Sequence, residues 1–527
     1  MKTRWIAAIL GLALGSLGFG QLPKVFSEAA SSVRNSGDVF RGAPVIVPGV
    51  RREMRAIWVA TVFNIDWPTA SSLSTTNQQT EARNVLDLCV ATNINAVFLQ
   101  VRSQADALYS SSIEPWAPCL RGTMGTAPNP NYDPLSYWIT QARSRGIEVY
   151  AWVNPYRALS NKNTSNPASH IWDANPSWCK LYPTSATNDS VWIEPSGPGM
   201  TQTTNAILDI VNRYDVDGVV FDDYFYPYPY NSVAFPDSTE YANYQAGGGL
   251  LSLSNWRRKN VDDFVQNVSA QIKLAKPWVK FGIGPFGIWK PGNPAGVNGL
   301  SSYDSLYADS KKWINLGWLD FIAPQLYWSV NAAQQDYDDL IEWWTQQNLT
   351  GKQVWASNSA SNLNSSWALS EIEAQIDSTR TTPGASGNVF YSQKAFRLNY
   401  DLLQTSLAAG RYKDPSLPLP FSWIDSTPPN SPNVTLTYNA GAGTQTMSWT
   451  PQGAEAPTRY LLQYLVGSTW TTRMFTPSTT SLTIPLKSSG NTLRVFAVCS
   501  VDRQNNMSPW TQRIIDPTAL PSGVSRD

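Results

Sequence analysis

Apolar, β-branched or aromatic runs recur along the chain at Met54–Val62, Ala96–Val101, Glu148–Asn154, Asp217–Asp222, Val279–Gly284, Leu319–Tyr327, Gln353–Ser357 and Asn388–Ser392. Each has strand length and few polar positions, the mark of a parallel strand buried on both faces. Between them lie segments with helical spacing: Glu81–Thr92, Pro134–Arg145, Thr204–Tyr214, Trp256–Leu274, Tyr307–Leu316, Tyr337–Gln347, Ser370–Ser378 and Tyr400–Ala409. Several close on glycine, at Gly146, Gly317 and Gly410, the residue that most easily takes the left-handed position ending a helix. Eight strand–helix units in series predict a closed α/β (β/α)8 TIM barrel over residues 51–421. An open doubly wound sheet is the alternative. It wants a Gly-rich phosphate turn after its first strand, and Thr61-Val62-Phe63-Asn64 is not one.

Past the barrel the period changes. Residues 422–432 are rich in Ser and Pro, a linker signature. Short alternating strands follow at Gln445–Trp449, Arg459–Tyr464, Ser481–Pro485 and Leu493–Val501, predicting an all-β sandwich over 433–516 and a tail at 517–527. Trp449, Tyr460, the run Val495-Phe-Ala-Val498, Asp502 and Ser508-Pro-Trp510 resemble a fibronectin type III, immunoglobulin-like sandwich. At the other end, residues 1–20 join a basic start to an uncharged apolar stretch, Ile6 to Leu17, and then Gly18 and Gly20. That reads as a signal peptide, with a flexible leader over 21–50 and export to the periplasm, envelope or medium as the expectation. No later stretch approaches the ~20 apolar residues of a membrane-spanning helix.

Lys plus Arg equals Asp plus Glu at 39 each, so no global field favours nucleic acid or an anionic membrane. With 23 Trp and 23 Tyr, the chain is rich in rings that stack on sugar C–H faces while their polar edges meet hydroxyls; the same rings also fill barrel cores. The four cysteines, Cys89, Cys119, Cys179 and Cys499, lack the spacing of a metal site. Cys119 and Cys179 both fall in loops of the first domain, where pairing and free thiols are both open. One histidine, His170, leaves no Ser–His–Asp hydrolase or His-rich metal site, and its expected role is a loop contact with solvent or backbone. Carboxylate chemistry without cofactor or metal is what remains.

In a parallel barrel the catalytic groups stand at the carboxyl ends of the strands. The second run ends Gln100-Val-Arg102 with Asp106 beyond, the third Trp152-Val-Asn154-Pro-Tyr156-Arg157, the fourth Asp222-Asp223-Tyr224, and the sixth Gln325-Leu-Tyr327-Trp328. Alternation puts Gln100 with Arg102, Trp152 with Asn154, and Gln325 with Tyr327 on shared faces. On the fourth run it groups Gly218, Val220, Asp222 and Tyr224, whose small early members suit a crowded barrel interior. Asp222 is therefore expected in the cleft, and Asp223 outside it unless the strand has already ended. Glycosidic cleavage usually needs two carboxyl groups, and Asp223, Glu194 and Asp106 are candidates for the second. The polar and aromatic residues at the other strand ends are the expected substrate contacts. Each has a bland reading as well: Asp222-Asp223 as a loop cap, Arg102 and Arg157 as structural partners of acids, Asn154 and Gln325 as satisfiers of loop backbone.

Arg55-Ala-Ile-Trp-Val, Asn95-Ala-Val-Phe-Leu-Gln-Val-Arg102, Asp106-Ala-Leu-Tyr109, Ala151-Trp-Val-Asn-Pro-Tyr-Arg157, Asp217-Gly-Val-Val-Phe-Asp-Asp-Tyr-Phe-Tyr-Pro227 and Ala323-Pro-Gln-Leu-Tyr-Trp328 resemble the bacterial glycosyl hydrolase 10-like proteins, over about Arg52 to Arg411. The resemblance implies an exported barrel enzyme whose polysaccharide substrate, in some members, is peptidoglycan strands stripped of their peptides. Members are often lipoproteins, yet no Cys follows the apolar stretch here, and Glu194 stands where the family implies Asn or Asp. A more distant likeness is to the family 18 chitinases: Asp217, Gly218 and Asp222 match their fourth-strand motif, while Val220 and Tyr224 replace an Asp and the acid Glu. That likeness implies a substrate-assisted route on an N-acetyl sugar. The contrasting expectation is a non-catalytic glycan-binding protein of the envelope, with the sandwich docking elsewhere on it.

Overall fold

Eight parallel strands close on themselves in the computed structural model, which describes residues 45–515. The signal peptide, most of the leader and the tail read from the sequence lie outside the described residues. In chain order the barrel strands are Met54–Val59, Ala96–Arg102, Glu148–Val153, Gly218–Phe221, Lys280–Ile283, Phe321–Ile322, Gln353–Ser359 and Ala385–Tyr391, and the last pairs with the first. Every one of the eight apolar runs is a barrel strand. Helices follow as the spacing predicts, among them Thr75–Ala91, Pro134–Arg143, Gly199–Arg213 and Leu253–Ala275. Gly146 and Gly317 take left-handed φ of 72° and 70° just past their helices. Gly410 does not: its φ is −117°, and the helix ahead of it ends without a left-handed residue there.

Alternation along the strands sorts the core into two layers. Met54, Ala56, Trp58, Phe98, Tyr150, Trp152, Val220, Phe321 and Trp355 fill the barrel interior, while Ile57, Val97, Val149, Val219 and Phe221 face the helices. The interior is crowded: a Cβ on Gly218 would stand 2.5 Å from the Tyr150 ring and 2.9 Å from the Lys280 carbonyl. Glycine there is what lets Tyr150 lie across the barrel. Much of the tryptophan in the sequence is packing, since Trp67, Trp138, Trp313, Trp344, Trp355 and Trp449 are all fully buried.

A feature the periodicity did not predict is a small antiparallel sheet inserted after the third barrel strand, made of Arg157–Leu159, Cys179–Pro183 and Asp189–Ile193. It carries Arg157 to the carboxyl rim of the barrel. Cys179 opens its middle stretch, Cys119 lies on a turn beside Asn64, and all four cysteines are free and buried. Burial pushes the Cys179 thiol up to about 12. His170 is fully buried: its Nδ1 accepts from Trp172 N–H and its Nε2 lies 3.1 Å from the Gln104 carbonyl. It contacts backbone and not solvent.

The C-terminal region forms two facing antiparallel sheets. One is Asn433–Asn439, Thr444–Thr450 and Ser481–Pro485; the other is built on Arg459–Val466, flanked by Thr469–Phe475 and Asn491–Val501. Met447 and Trp449 meet Tyr460, Leu462, Phe496 and Val498 between them. The Ser/Pro-rich connection is bound to the barrel: Trp423 donates its indole N–H to Asp320 at 2.8 Å, just past the buried Phe421. Arg459 of the sheets and Asn505 of the turn after Asn491–Val501 reach Glu148 at the start of the third barrel strand, so the β region sits on the amino-terminal end of the barrel.

Candidate active site

The opposite, carboxyl end of the barrel holds a cavity of about 300 Å³. Its walls come from the ends of six barrel strands: Trp58, Gln100, Trp152, Asp222 with Asp223, Gln325 with Tyr327, and Tyr391. This convergence follows from the fold, because parallel strands bring all their carboxyl termini to one rim.

Asp222 and Asp223 both line it. Val220 points into the barrel, and alternation carries Asp222 to the same side. The strand ends at Phe221, which frees the backbone to turn Asp223 inward as well. Asp222 is only 3% exposed. Its Oδ2 accepts from Trp152 Nε1 at 2.9 Å and its Oδ1 from Tyr224 N at 3.3 Å. Asp223 Oδ2 accepts from the Tyr228 hydroxyl, and Gln325 donates to the same carboxyl while also bonding the Gly284 carbonyl. Burial, then the neighbouring charge of Asp223, lifts the Asp222 carboxyl from 3.8 to about 7 against the pull of Trp152 and Arg157. Burial raises Asp223 too, opposed by its hydrogen bonds to Tyr228 and Gln325. Burial and the adjacent carboxyl thus both work against the ionised form of Asp222. Arg157 lies 4.8 Å from the Tyr224 ring and donates to the Ser103 carbonyl at 3.2 Å, leaving its Nε without a partner beside the two acids.

The remaining residues singled out in the sequence stand elsewhere. Gln100 lines the cavity, but its Oε1 is taken up by the backbone N–H groups of Thr61 and Val62. Arg102 does not share its face. A bulge between Gln100 and Arg102 shifts the register against the third strand, and Arg102 turns into a buried bidentate pair with Glu114 at 2.6 Å. Asp106 is used by its own loop, accepting from Ser103 N and Gln104 N. Asn154 holds the turn to Arg157 N, and Tyr156 is packed against Phe225 and Phe264. Glu194 accepts from the Ser196 N–H and hydroxyl in the turn before the helix Gly199–Arg213, away from the cavity walls. Trp328 is half-buried edge-on to Phe286, outside the cavity. Sequence reasoning passed over Trp58, Tyr228 and Tyr391. Trp58 was within reach, as it sits on the inward face of the first strand by the same alternation that selected Asp222.

A model of the glycosyl hydrolase-like 10 family matches residues 53–366. The chain is 36% identical over 400 residues to "Glycosyl hydrolase YngK" of Bacillus subtilis (strain 168), covering 73% of this chain and 76% of that protein. It is 34% identical over 372 residues to "Glycosyl hydrolase DigH" of Escherichia coli (strain K12), covering 64% and 83%. Among solved structures, the PgaB (BpsB) glycoside hydrolase domain from Bordetella bronchiseptica aligns with 68% of this chain and 98% of its own length, at 14% identity and a TM-score of 0.48. With the family model spanning more than half of the sequence, and the strand-end motifs of the barrel falling inside the matched region, the chain belongs to the glycosyl hydrolase-like 10 family.

Proposed function

We propose that this protein cleaves glycosidic bonds in an N-acetylated envelope glycan, the peptide-free strands of peptidoglycan, with Asp222 as proton donor and Asp223 as the ionised partner. The observation that carries the reading is the Asp222 carboxyl, buried beside Asp223 and raised to about 7 inside an aromatic-walled cavity. A carboxyl that keeps its proton near neutral pH can hand it to a leaving glycosidic oxygen, while its ionised neighbour faces the positive charge that develops on the sugar ring; water then adds to the anomeric carbon and its released proton restores the acid. Trp58, Trp152, Tyr224 and Tyr327 offer ring faces and polar edges to a saccharide. Tyr224, in the position of the chitinase acid, stacks on Trp192 at 6.2 Å and serves as wall. The apolar N-terminal stretch supports export to the compartment where such strands lie, and among the described residues no helix is long and apolar enough to cross a membrane. The C-terminal sheets, of fibronectin type III pattern, lie at the end of the barrel away from the cavity and suit an envelope-docking role.

Purified protein is incubated with amidase-stripped sacculi and soluble fragments are identified. Asp222→Asn is expected to lower release by ~10² to 10⁴-fold. Equal release by wild type and variant overturns the assignment. Binding with no release under any condition favours the non-catalytic glycan-binding reading instead.

A further inference from the structure

The loop leaving the first barrel strand is pinned at both ends. Asp66 accepts from Ala60 N at 2.7 Å, Gln100 Oε1 accepts from Thr61 N and Val62 N at 3.0 Å each, and Asn64 Nδ2 donates to the carbonyls of Pro68 and Cys119 at 2.7 and 2.9 Å. Between these anchors Phe63 takes a left-handed backbone, φ 54° and ψ 20°, and Asn64 follows at φ 53°. Asparagine tolerates that region. A bulky aromatic residue rarely enters it, because its Cβ crowds the carbonyl that follows. Phe63 is also 70% exposed, on the lip of the cavity that Asp222 and Asp223 line. Packing explains neither feature: the ring gives up burial that a core position would provide, and the anchors on both sides keep the backbone from relaxing. Strain combined with an exposed apolar surface beside an active cavity points to a surface that a ligand covers.

We infer that Phe63 is a stacking platform for a sugar ring of the glycan strand, one that lies outside the carboxylate pair, with the phenyl face against pyranose C–H bonds. This rests on the glycan reading of the cavity. A saccharide is the matching occupant because the platform is continuous with walls that carry both aromatic faces and hydrogen-bonding edges, as a chain of pyranoses requires. A flat apolar ligand has no use for the acids and amides of the same cavity.

The test uses the full chain carrying Asp222→Asn, so that the probe is not consumed, and titrates it with fluorescently labelled, amidase-stripped glycan strands. Adding Phe63→Ala is expected to weaken binding by about tenfold, and Phe63→Tyr, which keeps the ring face, to leave it within about twofold. Phe63→Gly separates platform from fold: it loses the same affinity but melts at a higher temperature than its parent, since glycine takes the left-handed backbone freely. Unchanged affinity in Phe63→Ala overturns the platform while the glycan reading stands. A lower melting temperature in Phe63→Gly shows that the ring holds the fold and overturns it as well. If the Asp222→Asn parent binds no strand at all, the glycan reading fails and takes this inference with it.

Discussion

Trp152 donates its indole N–H to Asp222 Oδ2 at 2.9 Å, joining the ends of two adjacent barrel strands at the cavity. The bond favours the ionised form and so works against the burial that lifts Asp222 to about 7. Replacing Trp152 by Phe removes the donor but keeps an aromatic wall. The Asp222 carboxyl then holds its proton to higher pH. If Asp222 is the general acid, the alkaline limb of the pH–kcat/KM profile on stripped glycan strands moves to higher pH, with kcat at its optimum changing by less than about tenfold. A limb that stays in place, or moves to lower pH, removes Asp222 from that role.

The same raised carboxyl burdens the fold. Between about pH 4 and 7 the native protein holds a proton on Asp222 that the unfolded chain has released, so this stabilising contribution is complete below 3.8 and is lost as pH rises through about 7. Asp222→Asn removes the burden while an amide oxygen can still accept from Trp152. Unfolding in denaturant should show the variant within about 1 kcal/mol of wild type at pH 4 and more stable by roughly 1–4 kcal/mol at pH 8. A difference that does not change with pH contradicts the shift.

The barrel was legible because strands buried on both faces leave near-continuous apolar runs, and the first, third and fourth strands kept their alternation as far as the rim. Alternation carries Asp222 and Trp152 to the side that lines the cavity and stops at the last paired residue. Asp223 enters the cavity because the strand ends one residue before Asp222, and Arg102 leaves the expected face because one extra residue bulges from the second strand. Neither event has a signature in spacing. Glu194 and Asp106 look catalytic as bare carboxylates, yet the N–H groups of their own turns already occupy them. The inserted sheet was missed because its three stretches are short and separated by polar loops, and Arg157 reaches the rim only by virtue of it.

Arg102 therefore acts as a prop. Its guanidinium binds Glu114 through Nε and Nη2 and the Asn154 carbonyl through Nη1, tying the second strand end to the third. Arg102→Lys cannot reproduce this fork, and it leaves Glu114 buried with one donor at most. A loss of about 2–4 kcal/mol in urea unfolding is expected, with KM for stripped strands within about twofold at a temperature where the variant is folded. A large rise in KM with unchanged stability would instead make Arg102 a substrate contact.

Glu148 stands at the foot of the third barrel strand and gathers Lys280 Nζ at 2.8 Å, Arg459 Nη2 at 3.2 Å, the Tyr150 hydroxyl at 2.9 Å and Asn505 Nδ2 at 3.1 Å. Glu148, Tyr150 and Lys280 belong to the barrel; Arg459 belongs to the C-terminal sheets and Asn505 to a turn between their strands. Burial opposes the charge on Glu148, but Lys280 and Arg459 outweigh it and hold the carboxyl at about 2. Its contribution is therefore complete above about pH 4.5 and fades as pH falls through 2. Glu148→Gln keeps the shape and removes the charge, leaving two cations buried together, one of which already has its Nε and Nη1 without partners. Breaking a buried pair in this way costs about 3–5 kcal/mol. Because the loss falls on the contact between barrel and sheets, calorimetry at pH 7 should resolve two unfolding transitions in the variant where the wild type shows one. If both regions of Glu148→Gln still melt together at the wild-type temperature, this cluster does not fasten the sheets to the barrel.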